Sequence, residues 1–386
     1  MLINFPVSKT DYSFMGLFTG AGGLDLGFDL EGFNHTESNE ILECAVNTLR
    51  LNKPSWSVVH DDVHNYNPSS STRPDVLLAG FPCQGFSLGG HRVKSDPRNH
   101  LYRQVIRIAS LLKPRVIVME NVLNLRTMKH PETNIPFSDQ ISKELKDIGY
   151  TTKFKFFRVS QFGVPQTRRR FIFVAYREDD FNLFTFPCPS QKETPAEPFL
   201  NDLSMDTGLK LPNHDPSWGY KSSVHVQTGE DFDSSDPILP VRFSRTASDG
   251  NPLRSLDKPF PAMDTGTIWG WAQGNIMCRR EPKDRSNSNY VRNKNADVTL
   301  WRIYASRMRS FTPREYARLQ TFPDDWRFVG SNKRDFQLQI GNAVPVNFAR
   351  CIAKRIRQTL LMVDGKLSIG DYLEGDYQLS LGVESA

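Results

Sequence analysis

At 386 residues, 38% hydrophobic and 24% charged, the chain can build one large domain and a smaller one, and its composition excludes disordered and fibrous classes. A net charge of +5 admits nucleic acid as a partner without requiring it. No apolar run approaches a membrane span, the first residues lack a signal-peptide layout, and five scattered cysteines without zinc-ligand spacing indicate free thiols in the cytoplasm and no metal site.

Taken in order, Phe14-Met15-Gly16-Leu17-Phe18 is a short apolar strand leading into the glycine turn Thr19-Gly20-Ala21-Gly22-Gly23, after which Leu24, Leu26, Phe28 and Leu30 begin a helix. Strand, turn and helix can hold a nucleotide-type ligand, although tight packing alone also calls for glycine. A second strand at 34–38 is followed by Glu40, near the spacing at which dinucleotide folds place a ribose-binding carboxylate. Ser57-Val58-Val59-His60-Asp61-Asp62-Val63 reads as a third strand with an acidic end. The run Asp75-Val76-Leu77-Leu78-Ala79 then delivers Gly80-Phe81-Pro82-Cys83-Gln84-Gly85-Phe86-Ser87 to its end. Cysteine is most often a buried core residue, yet here one thiol stands where an α/β sheet opens toward ligands. Residues 88–100, with Gly89, Gly90, His91, Arg92, Lys94 and Arg98, form a basic, glycine-bearing loop suited to an anion.

Tyr102–Leu112 is helical by its apolar spacing and Pro114 ends it. Pro114-Arg115-Val116-Ile117-Val118-Met119-Glu120-Asn121-Val122 is a further strand bringing a carboxylate and an amide to its end, and Gly163-Val164-Pro165-Gln166-Thr167-Arg168-Arg169-Arg170 precedes an apolar strand at 171–175. This alternation predicts an α/β domain with a mostly parallel sheet and helices on both faces. From 187 to about 298 the rhythm is lost to Pro, Ser, Asp, Asn and Gly, with β-like pieces at 224–226 and 238–239, which predicts a smaller, irregular, β-containing domain. Its Trp269, Trp271, Arg279 and Arg280 could contact a groove, but read first as core aromatics and solvated charges. Cys188 repeats the local Phe-Pro-Cys string without a preceding strand and is incidental. Thr312, Pro313 and Glu315 specify a capped helix start, and a last helix spans 345–363. The expected division is 1–186, 187–330 with its supporting helix, and 331–386 returning to the first domain.

Together, Phe18-Thr19-Gly20-Ala21-Gly22-Gly23, Pro82-Cys83-Gln84, Glu120-Asn121-Val122, Gln166-Thr167-Arg168-Arg169-Arg170 and Gln339-Ile340-Gly341-Asn342 resemble the DNA cytosine-5 methyltransferase family of bacterial restriction-modification systems, in order and over nearly the whole chain. The resemblance implies a Rossmann-like domain that binds S-adenosylmethionine, and a target-recognition domain. It implies Cys83 as a nucleophile for carbon 6 of a flipped-out cytosine in double-stranded DNA, because carbon 5 of an aromatic ring needs activation before it can take a methyl group. Glu120 would protonate ring nitrogen 3, and Arg170 with Arg168 would bond the carbonyl oxygen or neighbouring phosphates. Phe18, Gly20, Gly22, Gly23, Glu40, Ile41, Asp62, Val63, Pro82, Asn342 and Ala343 would hold the cofactor, Ile41 standing where some members use a larger aromatic. Ser87, Gly89, Arg92 and Arg98 are candidate DNA contacts. A monomer with a companion restriction endonuclease is the expected setting. A tRNA cytosine-5 methyltransferase and an inactive DNA-binding regulator remain alternatives.

Overall fold

The chain's short apolar runs are four to eight residues long because each is a strand buried on both faces, the pattern a covered parallel sheet imposes. The computed structural model describes residues 7–69, 72–82, 100–177, 183–205, 207–217, 225–228, 230–231, 233, 235–243, 252–263, 265–282 and 299–371. Seven strands, β1 (Ser13–Leu17), β2 (Asn34–Glu40), β3 (Val58–His60), β4 (Val76–Ala79), β5 (Val116–Asn121), β6 (Thr151–Arg158) and β7 (Arg169–Tyr176), form one sheet in the order β3-β2-β1-β4-β5-β7-β6. The first five are mutually parallel. β7 runs against both its neighbours. The mostly parallel sheet is as expected, and the single reversed strand is an addition that apolar patterning does not carry.

Eight α-helices accompany the strands among the described residues: α1 (Gly23–Leu30), α2 (Glu43–Asn52), α3 (Tyr102–Leu112), α4 (Phe137–Asp147), α5 (Glu197–Leu200), α6 (Pro313–Leu319), α7 (Lys333–Asn342) and α8 (Val346–Val363). Alternate strand residues face opposite sides. On one side Phe14, Val76, Leu78, Val116, Val118, Ile172 and Val174 pack with α1, α2 and α8. On the other, Met15, Leu77, Ala79, Ile117, Met119 and Phe173 pack with α3 and α4. Gly27 lies against Ala349, where an added Cβ would stand 2.4 Å from the alanine's own, so α1 and α8 meet at a distance only glycine permits.

Among the described residues of 187–330, the expected smaller domain contains six strands in two small sheets. β9 (Ile238–Arg242), β10 (Trp269–Gln273) and β13 (Arg307–Ser310) form one, in the order β13-β10-β9. β8 (His225–Gln227), β11 (Met277–Pro282) and β12 (Thr299–Ala305) form the other, in the order β11-β12-β8. Trp269 and Trp271 are core residues, packed with Phe260 and Phe311, whereas Arg279 and Arg280 are exposed and lie over the rings of Tyr304 and Trp301. At the start of α6, Thr312 accepts from the Glu315 backbone while Glu315 Oε2 accepts from the Thr312 N–H at 2.6 Å, the expected capping box. Glu315 is fully buried and also receives two bonds of 2.9 Å from Arg309 and one from the Trp271 indole.

Candidate active site

The parallel strands end along one edge, and β7, being reversed, begins there. This is how Glu120, at the end of β5, meets Arg170, at the start of β7: Glu120 is registered with Ile172, and its carboxylate is ion-paired to the Arg170 guanidinium. Both are buried. Burial raises the pKa of the Glu120 carboxyl above the ordinary range, with the Arg170 charge and hydrogen bond acting against that rise. Arg170 Nη1 also donates to the Arg169 carbonyl at 2.8 Å, which fixes the guanidinium plane.

β4 lies beside β5 in register, Ala79 opposite Met119, so the segment that follows β4 leaves the sheet next to Glu120. Phe81 is buried and Pro82 half-buried. The Asn121 side chain donates to the Phe81 carbonyl at 3.2 Å and accepts from the Val122 N–H at 2.8 Å, clamping the two strand ends together. Asn121 thus anchors the backbone two residues before Cys83, a role that its place in the Glu-Asn-Val string alone does not reveal. Cys83, Ser87, Gly89, Arg92 and Arg98 lie outside the described residues.

The glycine turn stands at the same edge, between β1 and α1. Gly20 and Gly22 both have positive φ, 56° and 86°, which glycine adopts without a steric penalty. Their surroundings differ. A Cβ on Gly22 would meet Leu49 at 2.7 Å, and one on Gly23 the Val344 carbonyl at 2.2 Å, so packing dictates those two. A Cβ on Gly20 would meet nothing within 4 Å, so the turn's open side is at Gly20. Phe18 has φ 54°, a conformation rare for a bulky residue and the kind of strain that clusters at ligand sites.

Glu40 ends β2 beside this turn. Its Oε2 accepts from the Gly20 N–H at 2.6 Å, and its Oε1 from the N–H groups of Ile41 and Leu42 at 2.9 and 2.8 Å. Burial raises its pKa while these bonds lower it. Of about four acceptor positions on a carboxylate, three are filled, and the one left, on Oε2, suits a single hydroxyl donor. Asp62 is half-exposed and accepts from the His64 N–H at 2.9 Å, and His64 holds its pKa below the usual range. Ile41 is 57% exposed, an apolar side chain at the rim. Val63 packs into the core beside Leu77 and Ile108, so only its backbone can face a ligand. Asn342 is the exposed last residue of α7, and Ala343 follows it in extended conformation. The Gly23–Val344 contact brings this end of α7 to the glycine turn. An open glycine turn, a carboxylate with one acceptor free and an apolar rim fit the adenosine and amino-acid parts of S-adenosylmethionine.

Three residues do something other than the sequence suggests. Arg168, expected beside the substrate, is buried with its Nη1 donating to the carbonyls of Met263 and Gly341, each at 2.9 Å. Asp25, not singled out by its sequence context, is buried behind the turn, with Oδ1 accepting from Ser38 at 3.2 Å and Thr19 at 3.5 Å. Gly16 leaves it room, since a Cβ there would stand 1.9 Å from that oxygen. Burial lifts the pKa of Asp25 to about 7. The acid's signal was its place in the apolar run Leu24 to Phe28. Third, His100 joins His130 and Glu132 with ligand-type atoms within 4.8 Å of one another, but Arg103 donates to both Glu132 oxygens, at 3.0 and 3.5 Å, setting a fixed cation where a metal would need the carboxylate.

A Rossmann-like sheet with a reversed seventh strand, a glycine turn and acids at its carboxyl edge defines a methyltransferase fold with an added β-containing region. The chain belongs to the C-5 cytosine-specific DNA methylase family, whose sequence profile matches residues 12–358. It is 34% identical over 355 residues to the type II methyltransferase M.PspPI of Psychrobacter sp. (strain TA137), covering 90% of this chain and 80% of that one. It is 31% identical to type II methyltransferase M1.HphI of Haemophilus parahaemolyticus, covering 89% and 86%. Among solved structures it resembles a putative DNA modification methyltransferase encoded in an E. coli prophage, with a TM-score of 0.54 at 23% identity, covering 91% of this chain and 99% of that one. The S. pombe Dnmt2 methyltransferase gives 0.54 at 17%, covering 92% and 99%. The protein is accordingly a DNA cytosine-5 methyltransferase that uses S-adenosylmethionine.

Proposed function

We propose that this enzyme methylates one cytosine within a specific duplex sequence, with Cys83 as nucleophile, Glu120 as proton donor and residues 187–330 as the part that reads the sequence. The observation that carries the chemistry is the buried Glu120–Arg170 pair at the edge where the strand before Cys83 also ends. Burial, which raises the Glu120 pKa, favours the protonated carboxyl over what an exposed acid would show, so that it can pass a proton to ring nitrogen 3 while the Cys83 thiolate adds to carbon 6. Arg170 fixes the carboxyl's orientation and offers its remaining donors to the base's carbonyl oxygen. The addition leaves carbon 5 nucleophilic. S-adenosylmethionine, when bound, supplies the electrophilic methyl group, and loss of the carbon 5 proton then expels the Cys83 thiolate from carbon 6 to leave 5-methylcytosine. Glu40 would take a ribose hydroxyl on its free acceptor, Ile41 would cover the adenine face, Asp62 would accept from the adenine amine, and Asn342 with Ala343 would meet the amino-acid end.

The base must leave the duplex to reach a thiol at a strand end, at a cost of a few kcal/mol. No helix among the described residues is long and apolar enough to cross a membrane. The proposed setting is a cytoplasmic monomer paired with an endonuclease of the same specificity. Expression in a methylation-free bacterium, followed by methylcytosine sequencing of host DNA and purified methyl-transfer assays on duplex DNA and tRNA, tests this reading. One methylated sequence context is expected, and transfer to tRNA alone would overturn it.

A further inference from the structure

A network of buried amide and guanidinium groups joins three distant parts of the chain where the small sheets meet the large one. Gln166 and Gln320 are fully buried and Arg168 nearly so. Gln166 Nε2 donates to the Leu319 carbonyl at 2.6 Å and to Gln320 Oε1 at 2.9 Å, and its Oε1 accepts from the Met263 N–H at 3.4 Å. Gln320 Nε2 donates to the carbonyls of Ile340 and Ala343 at 2.7 and 3.3 Å. Arg168 bonds the carbonyls of Met263 and Gly341. Met263 is therefore gripped at both its N–H and its carbonyl, and the last turn of α7 is capped by two side chains, Gln320 joining the Ala343 N–H at the Ile340 carbonyl and Arg168 at that of Gly341. A cation at a helix carboxyl end is also favoured by the helix dipole. Beside this network lies a cleft bordered by Met263, Phe311, Tyr316, Phe336 and Ile340.

We infer that Gln166, Arg168 and Gln320 form a joint that holds the cofactor-side end of α7, with Asn342, in register with the sequence-reading region at Met263, and that Arg168 is a positioning residue that does not touch the base. This rests on the cofactor and domain assignments above. Because one guanidinium bonds both sides, its loss moves both. Arg168→Met should weaken binding of S-adenosylhomocysteine and of a cognate duplex by about tenfold or more each, as removal of buried charge-assisted bonds does, while the single-turnover rate at saturation stays within about threefold. Arg168→Lys should restore most of both affinities, since an ammonium reaches the same carbonyls. A hundredfold fall in the saturated rate with unchanged affinities would make Arg168 a catalytic residue and overturn the joint, as would a loss confined to one ligand. Should Arg168→Met not fold, Arg168→Lys and Gln320→Leu are measured instead: Gln320→Leu removes both bonds to the end of α7 together with the one from Gln166, and unchanged cofactor affinity there would likewise overturn the joint. Asn342→Ala separates the two readings. If it leaves cofactor affinity intact, the cofactor assignment itself fails. If it weakens binding while Arg168→Met does not, only the joint fails.

Discussion

The large sheet and the two small ones answer to different constraints. In the large sheet the strands β1, β4, β5 and β7 are buried on both faces and the proposed chemistry lies at one edge, so function and packing occupy separate positions along these strands. In the small sheets β10 is itself buried on both faces, Trp269 and Trp271 packing into one cluster while Ala272 packs into another. What distinguishes the regions is where polar groups go. At the edge of the large sheet Glu40 and Glu120 stand at strand ends beside the proposed cofactor and base sites, whereas in the small-sheet region the buried polar groups around Glu315 bond one another.

The largest effect should come from the edge: Cys83→Ser is expected to lower methyl transfer by more than about a thousandfold, because a hydroxyl is far less ionised and less nucleophilic than a thiol, while duplex binding measured by gel shift is retained. Transfer within tenfold of wild type would remove Cys83 from the mechanism. Glu120→Gln comes next, at roughly a hundredfold or more in single-turnover rate, with cofactor affinity nearly unchanged, since an amide cannot deliver the proton. In the other region the expected loss is in stability. Glu315→Ala strands Arg309 as a buried cation, at a cost of about 3–5 kcal/mol by denaturant titration. A loss below about 1 kcal/mol would show that the small sheets do not depend on that cluster.

The smallest and most pH-specific effect concerns Asp25. Its folded pKa of about 7 lies above the ordinary value of 3.8, so the folded state holds this proton more tightly than the unfolded one. Its contribution to stability is full below about pH 4 and is lost as pH rises toward 7. Asp25→Asn should flatten that part of the melting temperature against pH curve, and an unchanged curve would show that Asp25 titrates normally. The loss by pH 8 should be a few kcal/mol at most, offset where Thr19 and Ser38 bond the ionised carboxylate.

Legibility followed the same divide. Glu120 and the glycine turn could be read because strands buried on both faces are short unbroken apolar runs and a polar residue at the end of such a run is conspicuous, whereas Glu40 ends the polar strand Asn-His-Thr-Glu-Ser-Asn-Glu and was legible only from its spacing after the glycine turn. The reversal of β7 could not, since direction is set by pairing between strands far apart in sequence, and without it Arg168 and Arg170 look equivalent. In fact Arg170 meets Glu120 and Arg168 meets backbone carbonyls. β6, Thr-Thr-Lys-Phe-Lys-Phe-Phe-Arg, escaped notice as an edge strand whose lysines break the apolar run. In the small sheets, Gly270 has Phe243 and the Arg309 carbonyl where its side chain would be, so the sequence there carries no alternation to read.

The contact between Gly23 and the Val344 carbonyl has a consequence for synthesis. The glycine turn of residues 19–23 leaves the ribosome well before its packing partner at Val344. α1 must likewise wait for α8, against which Gly27 is seated. Until α8 has emerged, α1 lacks its covering helix, and a chain stopped before α8 is expected to expose Leu26 and Phe28 and to be a substrate for chaperones or proteases. With Asn342 and Ala343 proposed to meet the cofactor, such a chain is also expected not to methylate DNA.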